Sequence, residues 1–178
     1  NNSSQSNTPY NNARCISSSG QIVVTVWQDS RDGNNEIYAK RSTDSGINWS
    51  NDIRLTNDTF SSEYPSVEVN GFAIHIAWKD NRDGNEEIYY KRSTDAGLNW
   101  SSDTRLTNNS SVSERPSVTL MGNNIFICWN DSRDGNKEIY LVRSTDAGTS
   151  WGPETRLTNN SAISDYPDLA ITTSLWHL

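Results

Sequence analysis

The residues best equipped for chemistry come in a recurring octet. Trp27-Gln-Asp-Ser-Arg-Asp-Gly-Asn34 returns as Trp78 to Asn85 and again as Trp129 to Asn136, each time 51 residues on. A glutamate follows each copy, at Glu36, Glu87 and Glu138. Arg31, Arg82 and Arg133 supply planar donor forks suited to carboxylates and hydroxyls. Asp32, Asp83 and Asp134 add acceptors, and Asn34, Asn85 and Asn136 add an amide beside a glycine bend. Three chemistries fit this set. The first is turn formation with Arg–carboxylate pairs that tie neighbouring repeats together. The second is a repeated carbohydrate site, in which these nine residues grip hydroxyls and a Trp or Tyr stacks on a sugar face. The third is calcium, because Asp29, Asp32, Asn34 and Glu36 offer oxygen ligands around a Gly bend. The spacing departs from the EF-hand pattern, and an Asp-Gly hairpin accounts for the same residues. Calcium therefore ranks last, and no metal ligands or other cofactors are assigned.

The elements that must position these loops follow from the same period. Each copy runs on through Glu-Ile-Tyr and Arg-Ser-Thr-Asp to Trp49, Trp100 or Trp151, then to Arg-Leu-Thr at Arg54, Arg105 or Arg156. An acidic set shares the period: Glu63, Glu114 and Asp165, each two residues before Pro65, Pro116 or Pro167. The second copy reads as four short strands, 65–69, 72–78, 87–92 and 102–106. Phe72, Ile74, Ile76 and Trp78 alternate there with Ala73, His75 and Ala77. Asn70-Gly71, Asp83-Gly84 and Ala96-Gly97 supply the turns. No apolar period of 3.6 residues occurs, so almost no helix is expected.

Four antiparallel strands at a fixed period predict an all-β fold of β-propeller blades, in preference to a β-solenoid. The blades are 13–56, 65–107 and 116–158, with a partial blade at 167–178 and a flexible N-terminal segment at 1–12. About three and a half blades leave strand edges and apolar faces bare. The ring is therefore expected to be completed by oligomerisation, the chain being its own partner, or else the chain is part of a longer propeller. Strand alternation puts the octet loops and the links between blades on one face of the ring.

Ser42-Thr-Asp44-Ser-Gly46-Ile-Asn-Trp49 resembles the Asp-box, or bacterial neuraminidase repeat, of sialidases. It recurs in phase as Ser93, Asp95, Gly97, Trp100 and as Ser144, Asp146, Gly148, Trp151. The resemblance covers 13–158 and implies a sialidase-like propeller with the box in the turn between the third and fourth strands. These twelve residues are expected to be structural: Asp accepts turn N–H groups, Gly permits positive φ, and Trp plugs the hairpin. For an enzyme the resemblance implies an Arg triad, a Tyr–Glu nucleophile pair and an Asp acid/base drawn from different blades. Here Arg41, Arg92 and Arg143 are equivalent, as are Tyr38, Tyr89 and Tyr140, and Arg14-Cys-Ile only echoes the family's Arg-Ile-Pro element. No catalytic residue is carried over. Arg115, where neighbours have Tyr64 and Tyr166, is an isolated departure.

Composition narrows the partners. A chain of 178 residues at net charge −7 is a poor phosphate-backbone binder, so nucleic acid is excluded. No run approaches the ~20 apolar residues of a membrane span. Seven Trp and seven Tyr argue against disorder. Two Cys and two His do not make a structural zinc site. Cys15 and Cys128 are read as a candidate disulfide set against two buried thiols. The sequons at Asn57 and Asn108 matter only if the source glycosylates. The start at Asn1, without Met or an apolar leader, fits a mature secreted product or a trimmed one. The expected function is a non-catalytic, multivalent glycan-recognition or scaffold module, extracellular or secreted. One alternative is a fragment of an exo-sialidase-like glycoside hydrolase whose catalytic residues lie elsewhere. The other is a purely structural assembly.

Overall fold

A computed structural model describes residues 6–7 and 14–171, which form thirteen strands in three antiparallel sheets. The first sheet holds β1 (Ser6–Asn7), β2 (Ile16–Ser19), β3 (Ile22–Asp29), β4 (Glu36–Ser42) and β5 (Ile53–Arg54). The second holds β6 (Ser62–Asn70), β7 (Ala73–Asp80), β8 (Glu87–Ser93) and β9 (Thr104–Arg105). The third holds β10 (Ser113–Met121), β11 (Asn124–Asp131), β12 (Glu138–Ser144) and β13 (Thr155–Arg156). No helix occurs among the described residues, and so none is long and apolar enough to cross a membrane.

Register repeats from sheet to sheet. Trp27 faces Tyr38, Trp78 faces Tyr89 and Trp129 faces Tyr140. The first strands of successive sheets pack against one another, β2 on β6 and β6 on β10, so they are innermost and the two-residue β5, β9 and β13 lie outside. A serine rung marks each inner seam. The Ser17, Ser66 and Ser117 hydroxyls accept the backbone N–H of Val69, Val118 and Leu169, 52 residues on in each case.

The alternation expected along 72–78 does not divide core from solvent. On β7, Ile74, Ile76, Ala77 and Trp78 are all at most 1% exposed, and His75 is 2% exposed. The middle strand of a stacked blade has a neighbour on both faces, so both parities are buried. Each such Ile contributes about 1.5–3 kcal/mol by leaving water. Phe72 is in the turn rather than the strand, and is 67% exposed.

Three expectations are corrected. The inner strands begin at Ser62 and Ser113, not at Pro65 and Pro116, because each proline sits in a bulge where the register shifts and pairing then resumes. The segment 1–12 is not free throughout: Ser6 and Asn7 pair with Asp29 and Gln28, the place Ser62 takes opposite Asp80 in the next sheet. No strand follows β13 among the described residues. Even so, Ser164 donates its N–H to Lys137 O and Leu169 engages Ser117, so 164–169 runs where a fourth inner strand would run. The expected second strand of that blade falls in 172–178, outside the described residues. Cys15 and Cys128 are thiols, the alternative to the disulfide among the two readings of the sequence. Cys15 directly precedes β2 of the first sheet and Cys128 lies in β11 of the third, with the second sheet between them.

Candidate functional site

The octet loops are hairpin turns between the second and third strands, with Gly33, Gly84 and Gly135 at φ of 111°, 98° and 96°. All nine candidate ligand residues come to these turns, and each makes side-chain bonds within the protein, although the buried Arg31 Nε has no partner among the described residues. Arg31, Arg82 and Arg133 each bond the wholly buried aspartate two residues back, at 2.5–2.6 Å. Each also pairs with an acid ahead of its own outer strand, Asp52, Asp103 or Glu154, and lies 4.4–4.5 Å from the ring of Tyr38, Tyr89 or Tyr140. The arginines therefore clamp their own blades. Only Arg82 among them reaches a link between blades, at Asp58, 3.0 Å away.

Asp32, Asp83 and Asp134 accept the hydroxyls of Tyr38, Tyr89 and Tyr140 and pair with Arg54, Arg105 and Arg156 at 3.1–3.3 Å. Burial first, then the bond to the carboxylate, pushes Tyr38 and Tyr140 up to about 12, and Tyr89 higher still. A phenol held so firmly is a poor nucleophile. Asn34, Asn85 and Asn136 do the cross-linking: each amide donates to the following buried Glu and to two carbonyls of the link into the next blade. Among the described residues no three acids, His or Cys are arranged to hold a metal ion. The carboxylates a calcium ion would need already accept Arg, Tyr and N–H donors.

The box turns are equally self-contained. Ser42 donates its hydroxyl to Asp44 at 2.6 Å and accepts the Gly46 N–H, while Asp44 accepts the Asn48 N–H. Asp95 and Asp146 repeat the pattern with Ser93 and Ser144. The Asn48 N–H, then Ser42, holds Asp44 at about 2, and the Asn99 N–H does the same for Asp95. Trp49 is 38% exposed, so the first box is less covered than those of Trp100 and Trp151, which pack on the core clusters.

The residues to which sequence reasoning assigned no role gather around the inner strands, on the same face as the octet loops: Tyr64 on β6, Arg115 on β10, Tyr166 in the segment 164–169, Lys79 near the end of β7 and Lys137 just before β12. Tyr64, Arg115 and Tyr166 have φ of 55°, 58° and 57°, left-handed geometry that costs a non-glycine residue of order 1–3 kcal/mol. Arg115 lies 4.0 Å from the Tyr166 ring and 5.7 Å from that of Tyr64. Lys79 bonds Glu63 at 2.8 Å and sits 5.2 Å from the Tyr64 ring. Lys137 bonds Glu114 at 2.7 Å and reaches Asp165 at 3.4 Å. Burial opposes the Lys79 charge, but the bond to Glu63 and the charge of Glu86 prevail and raise its pKa. Lys79, Arg115 and Lys137 all break the repeat, standing where other blades have Gln28 and Asn130, Tyr64 and Tyr166, or Asn35 and Glu86. That departure was the available signal. The nine repeated residues form closed turns, whereas these three cations make one asymmetric cluster with Glu63, Glu114 and Asp165.

No family model matches this chain. No curated protein matches it by sequence. Solved structures match in fold. One is a Penicillium chrysogenum alpha-L-arabinanase complexed with arabinobiose, with TM-score 0.60, 17% identity, 79% of this chain and 46% of that one. Another is a GH93 alpha-L-arabinofuranosidase of Fusarium graminearum, with TM-score 0.59, 15% identity, 85% of this chain and 49% of that one. A third is a Trypanosoma rangeli sialidase, with TM-score 0.58, 16% identity, 82% of this chain and 30% of that one. The chain spans less than half the length of each. Its three sheets therefore share the propeller-like architecture of glycoside hydrolases.

Proposed function

We propose that this chain is a segment of a carbohydrate-directed propeller of the glycosidase type. Its own part is to contact a sugar through the cluster of Lys79, Arg115 and Lys137. The observation that carries this reading is the asymmetry of that cluster within an otherwise repetitive molecule. Recognition of one ligand needs unlike groups around one point, and strained backbone collects at such points. Charged donors beside Tyr64 and Tyr166 suit hydroxyls and an aromatic-stacked ring. The architecture shared with arabinan- and sialic-acid-directed enzymes supports a sugar as the ligand class. The nine repeated octet residues support a multivalent glycan site less well, because they recur alike in every blade and their bonds tie each blade to itself and to the link that follows. An Asp-box module that is extracellular, with its ring completed beyond 164–169 by a second copy or by further blades, is the setting this reading assumes.

Glycan-array binding with parallel assays on fluorogenic arabinofuranoside and sialoside tests it. Binding lost in Lys79→Gln and Arg115→Ala, with unchanged melting temperature, is the expected result. Turnover by this chain would favour the enzyme alternative. Absence of both binding and turnover rejects the proposal. Changing Arg31, Arg82 and Arg133 together to Ala is expected to unfold the protein rather than free a site. Light scattering after size exclusion reports whether copies assemble.

A further inference from the structure

On the face opposite the octet loops, the seam between the first two blades opens into a groove of about 740 Å³. It is walled by the Gly20 and Gly71 turns and by the box turns that carry Thr43 and Asp95. Volumes of this size take a small organic ligand. The next seam is closed by means the first one lacks. There Tyr90, 1% exposed, fills the space against Trp151 at 4.9 Å, and Arg92 donates to Ala147 O. In the first blade the same positions are Ala39 and Arg41. With no ring beneath Gly97, the Arg41 stem lies there, its Cδ 3.3 Å from where a Gly97 Cβ would stand.

Two further features are particular to this groove. Phe72, 67% exposed, forms its rim in a tight turn where the other blades carry Gln21 and Asn123. Leu98, 66% exposed, stands on the rim as well. Exposed apolar side chains facing one groove are a binding feature. Arg41 is half-buried, and its guanidinium has no hydrogen bond or ion pair among the described residues, unlike Arg92 and Arg143. The nearby Asp95 carboxylate is no competitor, since Ser93, Leu98 and Asn99 already donate to it.

We propose that this groove binds an apolar small molecule carrying one carboxylate, its body between Phe72, Leu98 and Ile22 and its anion on Arg41. The lining is too poor in polar groups for a bare sugar. A neutral apolar ligand would leave the half-buried cation unanswered.

The test uses the full chain and anilinonaphthalene sulfonate, an apolar probe with one anionic group. Its fluorescence titration gives an affinity, and displacement by phenylbutyrate is compared with displacement by phenylbutanol. Phenylbutyrate is expected to compete at least tenfold better than the alcohol, and Arg41→Gln to remove that preference. Phe72→Asn, a change in an exposed turn, is expected to weaken both competitors several-fold at unchanged melting temperature. Ala39→Tyr copies the closed seam and is expected to abolish binding. Equal competition by acid and alcohol overturns the proposal, and so does parental affinity in both Arg41→Gln and Phe72→Asn.

Discussion

Tyr90 of the second blade lies directly on Gly148 of the third. A Cβ on Gly148 would stand 2.0 Å from the tyrosine hydroxyl, although the two residues are 58 positions apart. Gly46, the same position of the first box, would meet only Trp49, at 3.8 Å. Both glycines have φ near 80–90°, so an alanine at either costs about 1–2 kcal/mol of backbone strain. Gly148→Ala carries an overpacking cost besides, roughly 1–3 kcal/mol. Urea unfolding is expected to rank Gly148→Ala well below Gly46→Ala. Tyr90→Leu, the residue of the third blade, should recover part of the loss. Equal effects of the two alanines would refute the contact.

Glu87 is wholly buried and accepts from Arg105 at 2.8 Å, from Thr107, from the Asn109 N–H and from Asn85. Glu87→Gln turns an amide N–H₂ toward those donors and strips Arg105 of its charge partner. A loss of about 3–5 kcal/mol is expected in chemical denaturation. A shift below about 0.5 kcal/mol would mean that the network is ornamental.

Acid should act in two windows. His75 is buried beside Tyr90, its Nδ1 2.6 Å from the hydroxyl, and burial, then the Arg92 charge, lowers its pKa from 6.5 to about 4. The unfolded chain binds that proton more readily, so stability is full above 6.5 and falls between pH 6.5 and 4, by about 3 kcal/mol. His75→Phe, the residue of the third blade, should flatten this slope in a series of melting curves. A slope that persists in the variant would exclude His75 as its source.

The second window lies lower. The Thr158 hydroxyl first, with the Asn160 N–H and Arg156, holds Glu138 at about 2, and the box turns hold Asp44 and Asp95 there too. Their ordinary values are 4.5 and 3.8. Their contribution is therefore present above pH 4.5 and lost as pH falls toward 2. Thr158→Val should move the acid midpoint upward in circular dichroism. An unchanged midpoint would remove Glu138 from the account.

Much of this was legible in the sequence because it is local. The Asn70-Gly71 and Asp83-Gly84 turns, the 51-residue period and the sharing of one face by the octet loops follow from turn chemistry and strand alternation. The rest depends on which blade meets which. Pro65 reads as a strand start, and only the partner strand reveals a bulge with pairing on both sides. Arg115 reads as an exception, and its meaning comes from Tyr64 on the adjoining inner strand and Tyr166 in the segment 164–169. Phe72 reads as the first residue of an apolar stripe, and belongs to a turn that faces an open seam. Ala39 carries no signal of its own, since what matters is the ring that Tyr90 places one blade later.

The serine rungs have a direction. Ser17, Ser66 and Ser117 each accept from the blade that follows, never from the one before. The molecule is thus a staircase with a head and a tail, in which each finished step is the template for the next. In such quasi-one-dimensional arrays, a unit can be duplicated as a cassette if both of its seams are kept. A second copy of 62–112 spliced behind the first would put Tyr90 against Gly97 and Ser66 beneath another Val67. Growth of that kind would lengthen the staircase by one tread without altering the handrail.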